Sequence, residues 1–203
     1  MDAAANAYAR AGLERTVYTG EEDMARQAMN VFKMRRMDTK VQGVSSGTMT
    51  PKDASKEAMR DWVTNEETKH YTIDSTVGPH PSPTSARDYQ AITGKEIRAQ
   101  SIRQTERKPD LAIACVDGGS NASGTFRSSI DDTEVTDLGV ESDGSGTETD
   151  KHCATLYAGT PGEPHGSKTI MKQTDGGQIK ETYSISAGPD YPDVWLKATN
   201  RAE

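Results

Sequence analysis

Between Leu111 and Gly124 the chain reads L-A-I-A-C-V-D-G-G-S-N-A-S-G: six apolar residues stop at an aspartate and two glycines, and a helix-compatible run follows. A short apolar run bounded by glycine has the length of a strand buried on both faces, as in parallel sheets covered by helices. The glycine pair lets backbone approach a ligand closely, and amides that open a helix favour phosphate. Ser120 and Asn121 add side-chain donors at the same bend. On its own, such a pair is more often a tight turn than an anion cup. Asp117, at the mouth of the bend, opposes an anion.

The rest of the chain alternates strand and helix periods. Met1 to Glu14 is alanine-rich and reads as a helix with Gly12 near its end. Thr16–Tyr18 is β-like. From Glu21 to Met37, Met24, Ala28, Val31 and Phe32 follow helical spacing, and Glu21, Glu22 and Asp23 suit the positive end. Val41–Val44 reads as a strand. Thr50 is an N-cap and Pro51 a first helical residue, for a helix carrying Ala54, Ala58, Met59 and Trp62 on one side. Tyr71–Ile73 is a weak third strand, Gly78–Pro83 a rigid turn, and Thr84 to Arg107 a long polar helix.

After Pro109 and Asp110 the alternation resumes, with strand Leu111–Val116, helix Asn121–Ile130 and strand Leu138–Glu141. Ser142–Asp150 reads as a loop, Asp175–Gln178 as a turn, and Tyr183–Ser186 as an exposed strand. Repeated strand–helix–strand units predict an α/β fold with parallel sheets and flanking helices. The expected organisation is two βα subdomains, residues 1–108 and 109–203.

A net charge of −7 argues against nucleic acid, whose binding needs concentrated Lys and Arg. Hydrophobic residues at 33% and aromatics at 5% predict a thin core. No apolar run approaches a membrane span, and M-D-A-A-A-N-A-Y lacks a secretory apolar region. The two cysteines, Cys115 and Cys153, sit in unlike contexts without metal spacing, which fits a reducing compartment. Cys115 falls in the strand expected to be buried, where a thiol acts as a small hydrophobe. A soluble protein of cytoplasm or plastid stroma is expected.

Five stretches carry a family resemblance: T-V-Y-T-G-E-E-D-M-A-R-Q-A-M-N-V-F-K-M-R, T-P-K-D-A-S-K-E-A-M-R-D-W-V-T-N-E-E-T, V-G-P-H-P-S-P-T, I-A-C-V-D-G-G-S-N-A and S-I-S-A-G-P-D-Y-P. In order and nearly end to end, they resemble the tryptophan synthase β family of fold-type-II pyridoxal-phosphate enzymes. That family joins indole to L-serine by β-replacement. The resemblance implies that Gly118, Gly119, Ser120 and Asn121 hold the cofactor phosphate. It further implies that Asp190 pairs with Arg26 when the mobile region closes over substrate. Lys52 would face an α chain, and a second β chain would be a further partner. Backbone carbonyls near Asp117, Pro189 and Tyr191 would lie near a monovalent cation.

The chain departs from that pattern in ways that bear on chemistry. The family lysine lies in H-K-x-N, and none of His70, His80, His152 and His165 precedes a lysine. The E-T-G-A-G-Q-H-G loop with its acid–base glutamate is not among these 203 residues. Asp117 stands where the family has the first glycine of G-G-G-S-N. A carboxylate about 5 Å from a phosphate costs about 3 kcal/mol at an effective dielectric near 20, about two orders of magnitude in affinity. Ser82 replaces an aromatic, and Tyr191–Trp195 shortens a glycine-rich connection. Asn6, Asp74, Ser128, Ser129 and Asp137 are polar where the family is apolar, each costing about 1–3 kcal/mol if buried unpaired. The expectation is a tryptophan-synthase-β-like chain that is inactive alone, the alternative being a non-catalytic fragment or scaffold or interaction module that retains an anion cup and an α-chain-facing surface. The isolated histidines are expected on surfaces or turns.

Overall fold

The computed structural model describes residues 2–73, 75–188 and 190–194, and the chain divides into two compact units. One combines Met1–Asp74 with Ile185–Tyr191; the other combines Ser75–Ser184 with Pro192–Glu203.

In the first unit, strands β1 (Thr16–Gly20) and β2 (Lys40–Val44) pair in parallel, Thr16 opposite Lys40 and Gly20 opposite Val44. Helix α1 (Asp2–Arg10) packs against α3 (Ala28–Arg36) through Ala5, Val31 and Met34, with Val17, Met24, Met37 and Val41 around them. The single helix expected over 21–37 is two, α2 (Glu21–Arg26) and α3. Gln27 breaks it: at φ −115° and ψ 37° its backbone leaves the helical region. The residue closes one helix and opens the other, its amide reaching Asp23 O while its own carbonyl accepts from Asn30 and Val31.

Helix α4 (Pro51–Thr64) starts where the threonine–proline pair predicts, but the Thr50 hydroxyl does not cap it. Asp53 reaches back instead, its Oδ2 accepting the Thr48 amide at 2.8 Å and the Thr48 hydroxyl at 2.9 Å. Gly20 ends β1 where nothing larger fits: a Cβ there would lie 1.7 Å from Met49 O. Tyr71–Ile73 forms no strand. Tyr71 stacks on Trp62 of α4 at 5.8 Å, so its ring serves packing rather than pairing.

In the second unit, β3 (Leu111–Cys115) pairs in parallel with β4 (Thr136–Val140), Leu111 opposite Thr136 and Cys115 opposite Val140. Helix α5 (Ser82–Thr105) lies against α6 (Ser120–Phe126) through facing glycines. A Cβ on Gly94 would meet Thr125 O at 2.5 Å, and one on Gly124 would meet Gln90 O at 2.5 Å. That contact goes with α5 belonging to the second unit, which begins at Ser75. The short helix α7 (Thr155–Ala158) precedes an antiparallel sheet ordered β5 (Thr160–Gly162), β6 (Thr169–Met171), β7 (Asp193–Val194). Tyr183–Ser186 is not a strand.

The core of this unit gathers Ala114, Val116, Ala122, Phe126 and Val194 on one side of β3. The other side of the β3–β4 sheet is open: Leu111, Ile113, Leu138 and Val140 are exposed, and so is Cys115, contrary to the buried strand expected. Of the polar residues expected to be costly, Asn6 is exposed and Ser129 is buried but paired, its hydroxyl 2.7 Å from Asp137 Oδ1. Asp74 lies outside the described residues.

Candidate functional site

The bend after β3 has the expected strand–glycine–helix geometry. Val116 extends the pairing, its amide 2.8 Å from Val140 O, and α6 starts at Ser120. Gly119 sits at φ 91°, a left-handed backbone that glycine adopts without strain. Gly118 is glycine for space: a Cβ would lie 2.5 Å from Ser75 Oγ, and its carbonyl accepts the Thr76 hydroxyl at 2.6 Å. Ser123 ties the first turn down, donating to Gly119 O at 2.7 Å and Ser120 O at 3.0 Å.

The cup already faces an anion of its own. The Asp117 carboxyl stands at this bend, half-buried, with the backbone amides of Gly119 and Gly118 close to it. Burial raises its pKa, and those amides oppose the rise by favouring the carboxylate. Asn121 does not reach toward the mouth: its Nδ2 donates back to Cys115 O at 2.8 Å and lies 3.2 Å from Cys115 Sγ. Ser120 is buried at the first helical position. A carboxylate at this bend opposes a phosphate at the same amides by charge repulsion.

Arg26 and Asp190 meet within the first unit. Arg26 Nη1 donates to Asp190 Oδ2 at 3.0 Å and Nη2 to Glu22 Oε1 at 2.5 Å. Asp23 lies beside them, its Oδ1 3.8 Å from Arg26 Nη1 and buried without a hydrogen-bond partner among the described residues. Burial, more than the neighbouring Asp190 and Glu22 charges, lifts the Asp23 pKa to about 6 despite Arg26. One guanidinium therefore serves three carboxylates.

Lys52 is half-buried in the first turn of α4. Of the three residues expected near a cation, Asp117 lies in the second unit and Tyr191, buried, in the first; Pro189 lies outside the described residues. Among the described residues, no cluster of three or more His, Cys, Asp or Glu side chains could hold a metal ion.

Four features escaped sequence reasoning. Asp23 read only as a charge suited to a helix start, and Thr76 carried no signal. His152, expected at a surface, is buried, its Nδ1 accepting the Ala154 amide at 3.1 Å; burial and Lys172 depress its pKa. Lys172 is buried too, its ammonium donating to Asp150 O and His152 O at 2.9 Å and to Glu181 O at 3.3 Å. All three protons serve carbonyls, the bonding of a structural ammonium. An isolated lysine between apolar Met171 and Gln173 was the one available hint.

Parallel sheets flanked by helices, with a strand–glycine–helix bend, define a partial α/β domain consistent with the fold-type-II class of pyridoxal-phosphate enzymes. No family model matches the chain. It is 50% identical over 206 aligned positions, 99% of its length, to the tryptophan synthase beta chain of Nitrosomonas europaea. The chain is a homologue of that protein over a partial segment, spanning about half (52%) of the relative's length.

Proposed function

We propose that this chain is a segment of a tryptophan-synthase-β-type protein, whose whole form joins indole to L-serine with pyridoxal phosphate, and that its own cofactor cup is closed by Asp117. The 50% identity over nearly the full chain carries the reading. In it, Gly118, Gly119, Ser120 and Asn121 are the phosphate positions, Arg26 and Asp190 fasten the substrate-closing region, and Lys52 faces an α chain. A second β chain is the further partner. Carbonyls near Asp117, Pro189 and Tyr191 are the positions for a monovalent cation. Cytoplasm or plastid stroma is the proposed compartment; no described helix is long and apolar enough to cross a membrane.

The test is a chimera in which this chain replaces the matching segment of the Nitrosomonas europaea β chain. Tryptophan formation is expected to be weak and to rise at least about tenfold with Asp117→Gly. A folded chimera that stays inactive with Asp117→Gly overturns the reading.

The alternative is a non-catalytic interaction module. The half-buried Asp117 carboxyl at the bend favours it for the chain alone. Co-purification with an α chain, lost on Lys52→Glu, would support it; failure to bind either an α chain or a full-length β chain would count against it.

A further inference from the structure

Helix α3 presents two unlike faces. Val31 and Met34 are buried against Ala5 of α1. Met29, Phe32, Lys33 and Arg36 fall at i, i+3, i+4 and i+7, the spacing of one helical stripe. This stripe is turned to solvent, with Met29 66% and Phe32 59% exposed. Beside it runs an apolar groove between α1 and α3, lined by Ala3, Asn6, Phe32, Lys33, Arg36 and Met37.

The charge of this face is opposite to that of the chain. α3 has no acidic residue in its first turn and Lys33, Arg35 and Arg36 in its last, on a protein of net charge −7. An apolar strip with a basic rim complements apolar side chains flanked by carboxylates. A second copy meeting face to face would set these cations against each other. A nucleic acid would leave Met29 and Phe32 without partners. We infer that the α1–α3 groove is a docking site for an acidic amphipathic helix of another protein, its apolar side chains seated on Phe32 and Met29 and its carboxylates on Arg36.

The test uses the full chain and a fluorescein-labelled synthetic peptide of about 18 residues, with leucines at helical i, i+4 and i+7 positions among glutamates. A peptide of the same composition with the leucines scattered around the helix is the control. Fluorescence anisotropy should show saturable binding, weakened at least about tenfold by scattering the leucines, by Phe32→Ser or by Arg36→Glu, and weakened by salt. Circular dichroism confirms that each variant keeps its helices; Met29→Ser, more exposed still, replaces any that does not. Equal binding of both peptides, or undiminished binding by folded variants, overturns the inference. So does self-association that Arg36→Glu abolishes, or uptake on phosphatidylglycerol vesicles without peptide binding.

Discussion

Arg26 Nη1 meets Asp190 Oδ2 at 3.0 Å across 164 positions of sequence, and the pair fastens Ile185–Tyr191 to the unit formed by Met1–Asp74. The Asp190 side chain is 3% exposed and that of Arg26 23%. Removing the cation takes the guanidinium away from a buried carboxylate and loosens the hold on this segment. Arg26→Ala should therefore speed hydrogen exchange of amides in this segment. Unchanged protection there would show that the ion pair is incidental.

Asp23 makes the first unit sensitive to pH. Its pKa rises from 3.8 to about 6 on folding, so the folded chain holds the proton more tightly than the unfolded one. The stabilisation is complete below pH 3.8 and is lost as pH rises through about 6, a swing of about 3 kcal/mol. Asp23→Asn should flatten the denaturation midpoint across this window and raise it at pH 7. A midpoint that follows pH as steeply in the variant would exclude Asp23 as the source.

Asp193 behaves alike in the second unit. It is 2% exposed, with Oδ2 lacking a hydrogen-bond partner among the described residues, and burial lifts its pKa to about 7. Its contribution is present below pH 3.8 and lost as pH rises through about 7. Asp193→Asn should raise the thermal midpoint at pH 8 and leave it nearly unchanged at pH 4. Equal shifts at both pH values would refute the buried charge.

Asp117→Gly should open the cup. With the carboxylate gone, its repulsion of an oxyanion at the bend is lost, a gain of about two orders of magnitude. Equilibrium dialysis against pyridoxal phosphate measures it on the intact chain. Retention no better than in the parent chain would mean that Asp117 is not what blocks the amides.

The glycine contact between α5 and α6 leaves no room for a methyl. Gly94→Ala and Gly124→Ala should each cost about 3 kcal/mol as backbone is forced apart, read as a lower urea midpoint. Gly177→Ala is a contrasting case: no atom lies within 4 Å of its Cβ, so only its φ of +75° is penalised. A parent-like midpoint for Gly94→Ala would show that the helices sit further apart.

Strands β1 to β4 and helices α1, α4, α5 and α6 were legible because each pairs a hydrophobic period with a punctuating Gly, Pro or Thr. The break at Gln27 was not, since no residue near it disfavours helix; only its backbone angles reveal it. Tyr71–Ile73 alternates like a strand for the sake of one ring stack. Cys115 read as buried because an apolar run shows that a strand has a covered face, not which faces are covered. The conflict at Asp117 is visible from one letter, whereas the half-burial of its carboxyl depends on the packing around the bend. Burial of Asp193 depends on its place opposite Met171, 22 positions earlier in the chain.

Strands β3 and β4 pair only with each other among the described residues, and Leu111, Ile113, Leu138 and Val140 give this ribbon a greasy outer side. Chaperone holdases and growing fibrils recognise such ribbons. Any polypeptide that carries these strands must find a cover for that side before another exposed ribbon captures it.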